Sequence, residues 1–151
     1  MVSLELLRAC AFCGALDDAQ RTALAQIADE FTCEAGATLF EEGQSADSLY
    51  LLLSGSVDLY FNPPQPYDSL VLIGGVNPGE PFAISALIAP YVLKHTARAG
   101  TRSHLLRINA AKLRALCEKD FRMGYFFMRN VAQAAMERLH FTRVQLAAER
   151  V

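Results

Sequence analysis

Apolar positions in residues 3–9 and 17–29 recur at helical spacing, and in the second segment Leu16, Ala19, Ala23, Leu24, Ile27 and Ala28 fall on one face. Asp17 or Asp18 stands where a carboxylate would accept from the free N–H groups of the first turn. From Phe31 to Ile108 the texture changes to short runs of Leu, Val, Phe and Tyr punctuated by glycines, which predicts strands at short intervals. Val57–Phe61 and Leu70–Ile73 read as the arms of a hairpin with Asn62–Pro66 at its tip, because its three prolines remove three ladder donors. Residues 80–89 break the alternation. Phe82, Ala83, Ala86 and Leu87, at i, i+1, i+4 and i+5, predict a short helix inserted in the β region. Helical spacing resumes at Asn109, placed to cap a helix over 110–118, and a second helix runs from about 120 to 149. Along it Met128, Ala132, Ala135, Leu139, Thr142 and Leu146 step by four and three alternately, the rhythm of a coiled-coil seam.

These elements predict one α+β domain over 1–151: N-terminal helices in 1–30, an antiparallel, jelly-roll-like β-roll in 31–108, and C-terminal helices in 109–151. Composition fits. Of the 151 residues 52% are hydrophobic and 20% charged, enough for a packed core. The net charge of −2 supplies no positive field, so this chain alone is not expected to bind nucleic acid. No run approaches the ~20 apolar residues that span a bilayer, and no basic segment leads the N-terminal apolar run. The expected compartment is the cytoplasm, with the four cysteines as thiols and no membrane partner.

Residues 34–57, EAGATLFEEGQSADSLYLLLSGSV, closely resemble the opening strands of the cyclic nucleotide-binding domain of catabolite-activator-type regulators. The matching positions are Gly36, Leu39, Phe40, Glu42, Gly43, Tyr50, Gly55 and Val57. The resemblance runs over about residues 5–145 and implies the family's order of short helices, β-roll, inserted helical turn, strands and long C-terminal helix. It also implies a phosphate site, in which a Gly-Glu pair opens a short helix whose N–H groups hold the cyclic phosphate. Here Gly79 and Glu80, followed by Pro81 and Phe82, look like that opening. The family's ribose-binding glutamate and phosphate-binding arginine fall, by position, on Ile84 and Leu93. Ile84 offers no acceptor and Leu93 no charge. Lys94 and His95 follow directly, but a lysine lacks the arginine fork, and strand alternation turns Lys94 and Leu93 to opposite faces.

The expectation is therefore a non-enzymatic regulatory or sensor module with a degenerate phosphate cassette and no cofactor. Its ligand pocket would comprise Gly79, Glu80, Phe82, Ala83, Ile84, Ser85, Ala86, Leu93, Lys94, His95 and Thr96, with Arg138 reaching in from the long helix. Two alternatives stand beside it: a ligand-free dimerisation or docking scaffold, and a true cyclic nucleotide binder in which Lys94 replaces the arginine. In the family the long helix forms a parallel dimer, which implies a homodimer here through Met128, Val131, Ala132, Ala135, Leu139, Thr142 and Leu146. The chain ends before the helix-turn-helix module of the regulators, so reading of DNA by that route is not expected. No metal site is expected. Cys10 and Cys13, with Cys33 and Cys117, lack the spacing of the family's iron–sulfur members, and thiols that pack as small hydrophobes are the plainer reading. His95, His104 and His140 have no ligand spacing to one another, and no histidine lies early enough for a cupin metal site.

Overall fold

The computed structural model describes residues 2–64 and 69–150. Helix α1 (Leu4–Ala9) starts at Ser3, whose Oγ accepts from Leu6 N at 3.2 Å. A short 3-10 helix, Ala11–Ala15, follows, which the spacing does not announce. Helix α2 (Asp18–Gln26) begins with a reciprocal cap: Asp17 accepts from Gln20 N at 2.8 Å and the Gln20 side chain accepts from Asp17 N at 2.9 Å. The helix ends earlier than its spacing predicts, because Ala28 already pairs with Ile108 as strand β1 (Ala28–Cys33) begins. Its buried face is also turned from the predicted one: Gln20 is buried and Ala19 exposed. Gln20 uses its remaining donors on Asp120 Oδ2, at 3.0 Å, and so ties α2 to the start of the long helix.

The roll consists of β1, β2 (Thr38–Phe40), β3 (Ser48–Ser54), β4 (Val57–Phe61), β5 (Val71–Val76), β6 (Pro81–Phe82), β7 (Thr96–Ala99) and β8 (Ser103–Asn109). They form two four-stranded antiparallel sheets, ordered β1-β8-β3-β6 and β2-β7-β4-β5. Alternation places Val57 and Leu59 of β4 inside, and Leu105, Leu106 and Ile108 of β8 join Leu49, Leu51 and Leu52 of β3 in the core. The hairpin expected from the proline run is present, with Val57 opposite Val76 and Phe61 opposite Val71. Its tip lies partly outside the described residues, at Gln65 and Pro66. Gly55 makes the tightest turn, at φ +97°; a Cβ there would collide with Ser103 Oγ and stand 2.6 Å from Arg102 O.

Helix α3 (Ala110–Lys119) is capped by Asn109, which accepts from Lys112 N, and α4 (Phe121–Glu149) by Asp120, which accepts from Met123 N. Met123, Phe127, Val131 and Ala134 bury one face of α4 on the roll. Phe12, from the first 3-10 helix, meets Phe126 edge-on at 5.2 Å and Phe127 at 5.9 Å. On the opposite face Phe121, Tyr125, Met128, Ala132, Ala135, Leu139, Thr142 and Leu146 form an exposed stripe in four-three steps, with Phe121 77% and Leu139 51% exposed. Val131, assigned to the seam from sequence, is buried instead: it lies one turn after Phe127 on the roll-facing side.

Candidate ligand site

The loop after β5 is built on its own backbone. Gly79, at φ +90°, lets its N–H reach Leu52 O at 2.8 Å. The Glu80 carboxylate folds back to accept from Asn77 N at 2.6 Å. Gly79 and Glu80 therefore do not open the inserted helix, contrary to the sequence expectation. Strand β6 intervenes, pairing Pro81 and Phe82 with Leu51 and Tyr50 of β3. The inserted helix is a single 3-10 turn, Ile84–Leu87, and it starts from Ala83 in the left-handed conformation, at φ 60° and ψ 42°. Arg114 of α3 secures it, donating to Ala86 O at 2.6 Å while its guanidinium lies 3.9 Å from the centre of the Tyr91 ring. No spacing in the sequence singles Arg114 out.

Several residues expected to line a pocket are core. Phe82, Ala83 and Ala86 are fully buried, and Leu93 is 4% exposed. Phe82 stacks on Tyr50 at 5.2 Å and on Phe40 at 6.1 Å, so aromatic rings fill the interior of the roll beneath the 3-10 turn. Thr96 is a structural hydrogen-bonding group, accepting from Glu42 N at 3.0 Å. Ile84 and Ser85 are half-buried, and Lys94 points to solvent between buried Leu93 and buried His95.

The open space lies to one side, between the β5–β6 edge and α4. It is a cavity of about 480 Å³, bounded by Gly74, Gly75, Gly79 and Glu80 on the roll and by Asn130, Glu137, Arg138 and Phe141 on the helix. Of the sequence-derived residues, Gly79, Glu80 and Arg138 line it. Gly74 forms part of the wall because it lacks a side chain: it is buried, yet a Cβ would meet no atom within 4 Å.

Two polar atoms are buried without a partner among the described residues, His95 Nε2 and Arg138 Nε. Arg138 spends one terminal nitrogen on Ala134 O, at 3.4 Å. Burial lowers its pKa, while the carboxylates of Glu80 and Glu137 act in the opposite direction. His95 lies beside Phe40, its ring centre 5.8 Å away, and is 5% exposed. Burial first, then the charge of Arg138, lowers its pKa to about 4, so the ring is neutral near pH 7. Glu137 is pushed the other way, by burial and by the neighbouring Glu80 carboxyl. The recess offers an incoming molecule a cation, Arg138, and the carboxyl groups of Glu80 and Glu137 in partly apolar surroundings, while His95 stays in the core beside Phe40. No three-residue metal-ligand grouping exists among the described residues, and no helix there is long and apolar enough to cross a membrane.

A candidate cyclic nucleotide-binding protein from Geobacter metallireducens is 38% identical in sequence and superimposes with a TM-score of 0.78, covering 93% of this chain and 100% of its own. The N-terminal domain of a transcriptional regulator from Streptomyces coelicolor is 28% identical, with a TM-score of 0.66 over 87% of this chain and 93% of its own. A cyclic nucleotide-binding-like protein from Brucella abortus is 29% identical, with a TM-score of 0.60 over 76% of this chain and 97% of its own. No curated protein matches the chain. The sequence model of the cyclic nucleotide-binding domain matches residues 30–120, the span from β1 through α3. With that span, the paired sheets and the long helix all in agreement, the chain belongs to the cyclic nucleotide-binding domain family, as a regulatory module.

Proposed function

We propose that this chain is a non-enzymatic sensor module whose effector is not an ordinary cyclic nucleotide, and that two copies pair through α4. The observation that carries the reading is the environment of Leu93. At the position where the resemblance places the phosphate-binding arginine, a leucine is buried in the roll, and the adjacent Lys94 faces solvent. Ile84 stands likewise where the ribose-binding glutamate is expected. Each charge-assisted hydrogen bond lost costs about 1.5–3 kcal/mol, so losing two weakens binding by roughly two to four orders of magnitude. The effector site is the recess between β5–β6 and α4, where Arg138 holds an unspent hydrogen-bonding atom, Nε. The exposed four-three stripe supports the pairing of two α4 helices.

A thermal-shift panel with cyclic AMP, cyclic GMP, cyclic dinucleotides and small carboxylate-bearing apolar compounds tests this. Effector at a hundred times its dissociation constant stabilises by about 2.7 kcal/mol, or roughly 5–10 °C for a chain of this size. Cyclic AMP and cyclic GMP are expected to leave the midpoint unchanged. A shift of that size with cyclic AMP would overturn the reading and direct attention to Lys94. The aromatic filling of the roll favours a second reading, a ligand-free scaffold, which silence across the whole panel would support.

A further inference from the structure

The turn between α1 and α2 holds two thiols that neither the effector site nor the core packing requires as a pair. Cys10 closes α1 and immediately precedes the 3-10 helix that contains Cys13. The amide of Cys13 donates to Cys10 O at 3.1 Å. The turn's rise of about 2.0 Å per residue sets Cys10 and Cys13 about 6 Å apart along its axis, within the Cα separation of roughly 4.4–6.8 Å that a disulfide spans. Both are free thiols; Cys13 is fully buried and Cys10 half-buried. The pair differs from Cys33 on β1 and Cys117 on α3, which have no thiol neighbour within their own elements.

The two sulfurs are also chemically unlike. The neighbouring Cys13 side chain, with the Phe12 and Cys13 amides, lowers the Cys10 pKa to about 6 against the opposing effect of burial. Cys13 is pushed far upward, by the neighbouring Cys10 side chain and by burial. A partly accessible thiolate beside a buried protonated thiol is the asymmetry on which thiol–disulfide exchange runs. Arg21 steadies the turn, donating to Cys13 O at 3.2 Å and to Gly14 O at 3.3 Å. Between the cysteines, Phe12 projects onto Phe126 and Phe127 of α4, so the turn is mechanically joined to the long helix.

We propose that Cys10 and Cys13 are a redox-active dithiol, a regulatory site that closes to an intramolecular disulfide by exchange with a small-molecule disulfide and alters the packing of α4 through Phe12. The Cys10 thiolate attacks one sulfur of the small disulfide, whose S–S bond breaks and releases a thiolate. Cys13 then gives its proton to that thiolate or to solvent and attacks the Cys10 sulfur, expelling the second small thiol. Two protein thiols and one disulfide become one protein disulfide and two thiols; the protein loses two electrons and the small disulfide gains them.

The test is equilibration of the purified full chain in graded reduced and oxidised glutathione, acid quench, alkylation and peptide mass mapping. The expected result is a bridge between Cys10 and Cys13 that rises as a two-electron transition while Cys33 and Cys117 remain alkylatable. The Cys13→Ser variant should accumulate a glutathione adduct on Cys10, and amide exchange across Phe121–Val131 should differ between the reduced and bridged wild type. The wild-type mapping needs no variant to fold. Thiols at Cys10 and Cys13 that survive fully oxidised glutathione would overturn the proposal, and so would a bridge that leaves exchange in α4 unchanged.

Discussion

At the residue scale the most consequential single atoms are polar ones held inside. His95 has a folded pKa of about 4, below the ordinary histidine value of 6.5, so the unfolded chain binds a proton more readily. Stability from the neutral ring is complete above about pH 6.5 and is lost as the pH falls toward 4, by up to about 3 kcal/mol. A melting curve series from pH 7 to pH 4 should therefore show a fall that is visibly flatter in His95→Gln. Gly55 answers to sterics instead. Its φ of +97° and the Arg102 carbonyl 2.6 Å from a would-be Cβ predict that Gly55→Ala loses at least about 1–2 kcal/mol, measurable by urea unfolding. Gly74 should behave oppositely, since a side chain there enters open space. Gly74→Val is expected to keep the unliganded midpoint within about 0.5 kcal/mol while removing the shift produced by an effector in the recess.

At the scale of elements, helix caps join pieces that the chain separates widely. Gln20 completes the cap of α2 and also donates to Asp120, which caps α4. Gln20→Ala should cost about 1–3 kcal/mol in chemical denaturation, because it strips two hydrogen bonds from a buried group. Helix starts were legible in the sequence because a cap needs only a suitable side chain at the right offset: Asp17, Asn109 and the boundary near 120 could all be placed. The first 3-10 helix was not legible, since such a helix repeats every three residues over too short a run to show periodicity. The inserted segment misled for a related reason. Phe82 has helical spacing from Ala86, but Phe82 belongs to a two-residue strand, and the change of direction occurs at Ala83, where the backbone enters the left-handed region. Three members of the expected site, Gly79, Glu80 and Arg138, do meet at one recess. Phe82, Ala83, Ala86 and Leu93 went inward because a roll buries whichever positions its pleat turns inside, and pattern alone does not distinguish a core position from a pocket wall.

At the scale of the whole molecule, α4 must satisfy two surfaces at once. Its roll-facing residues Met123, Phe127, Val131 and Ala134 are buried, while the stripe from Phe121 to Leu146 remains uncovered. If two copies meet along that stripe, sedimentation of the wild type should give twice the chain mass, and Leu139→Glu should shift it to one chain without lowering the β-sheet signal. The first and last strands of the roll are neighbours: β8 lies between β1 and β3, with Ala28 opposite Ile108. The strand that joins β1 to β3 does not exist until the eighth strand has been synthesised. On a ribosome the roll must therefore wait, with the open edges of the earlier strands unpaired, until nearly three-quarters of the chain has emerged. Such long-range closure is slow and leaves unpaired strand edges prone to aggregation.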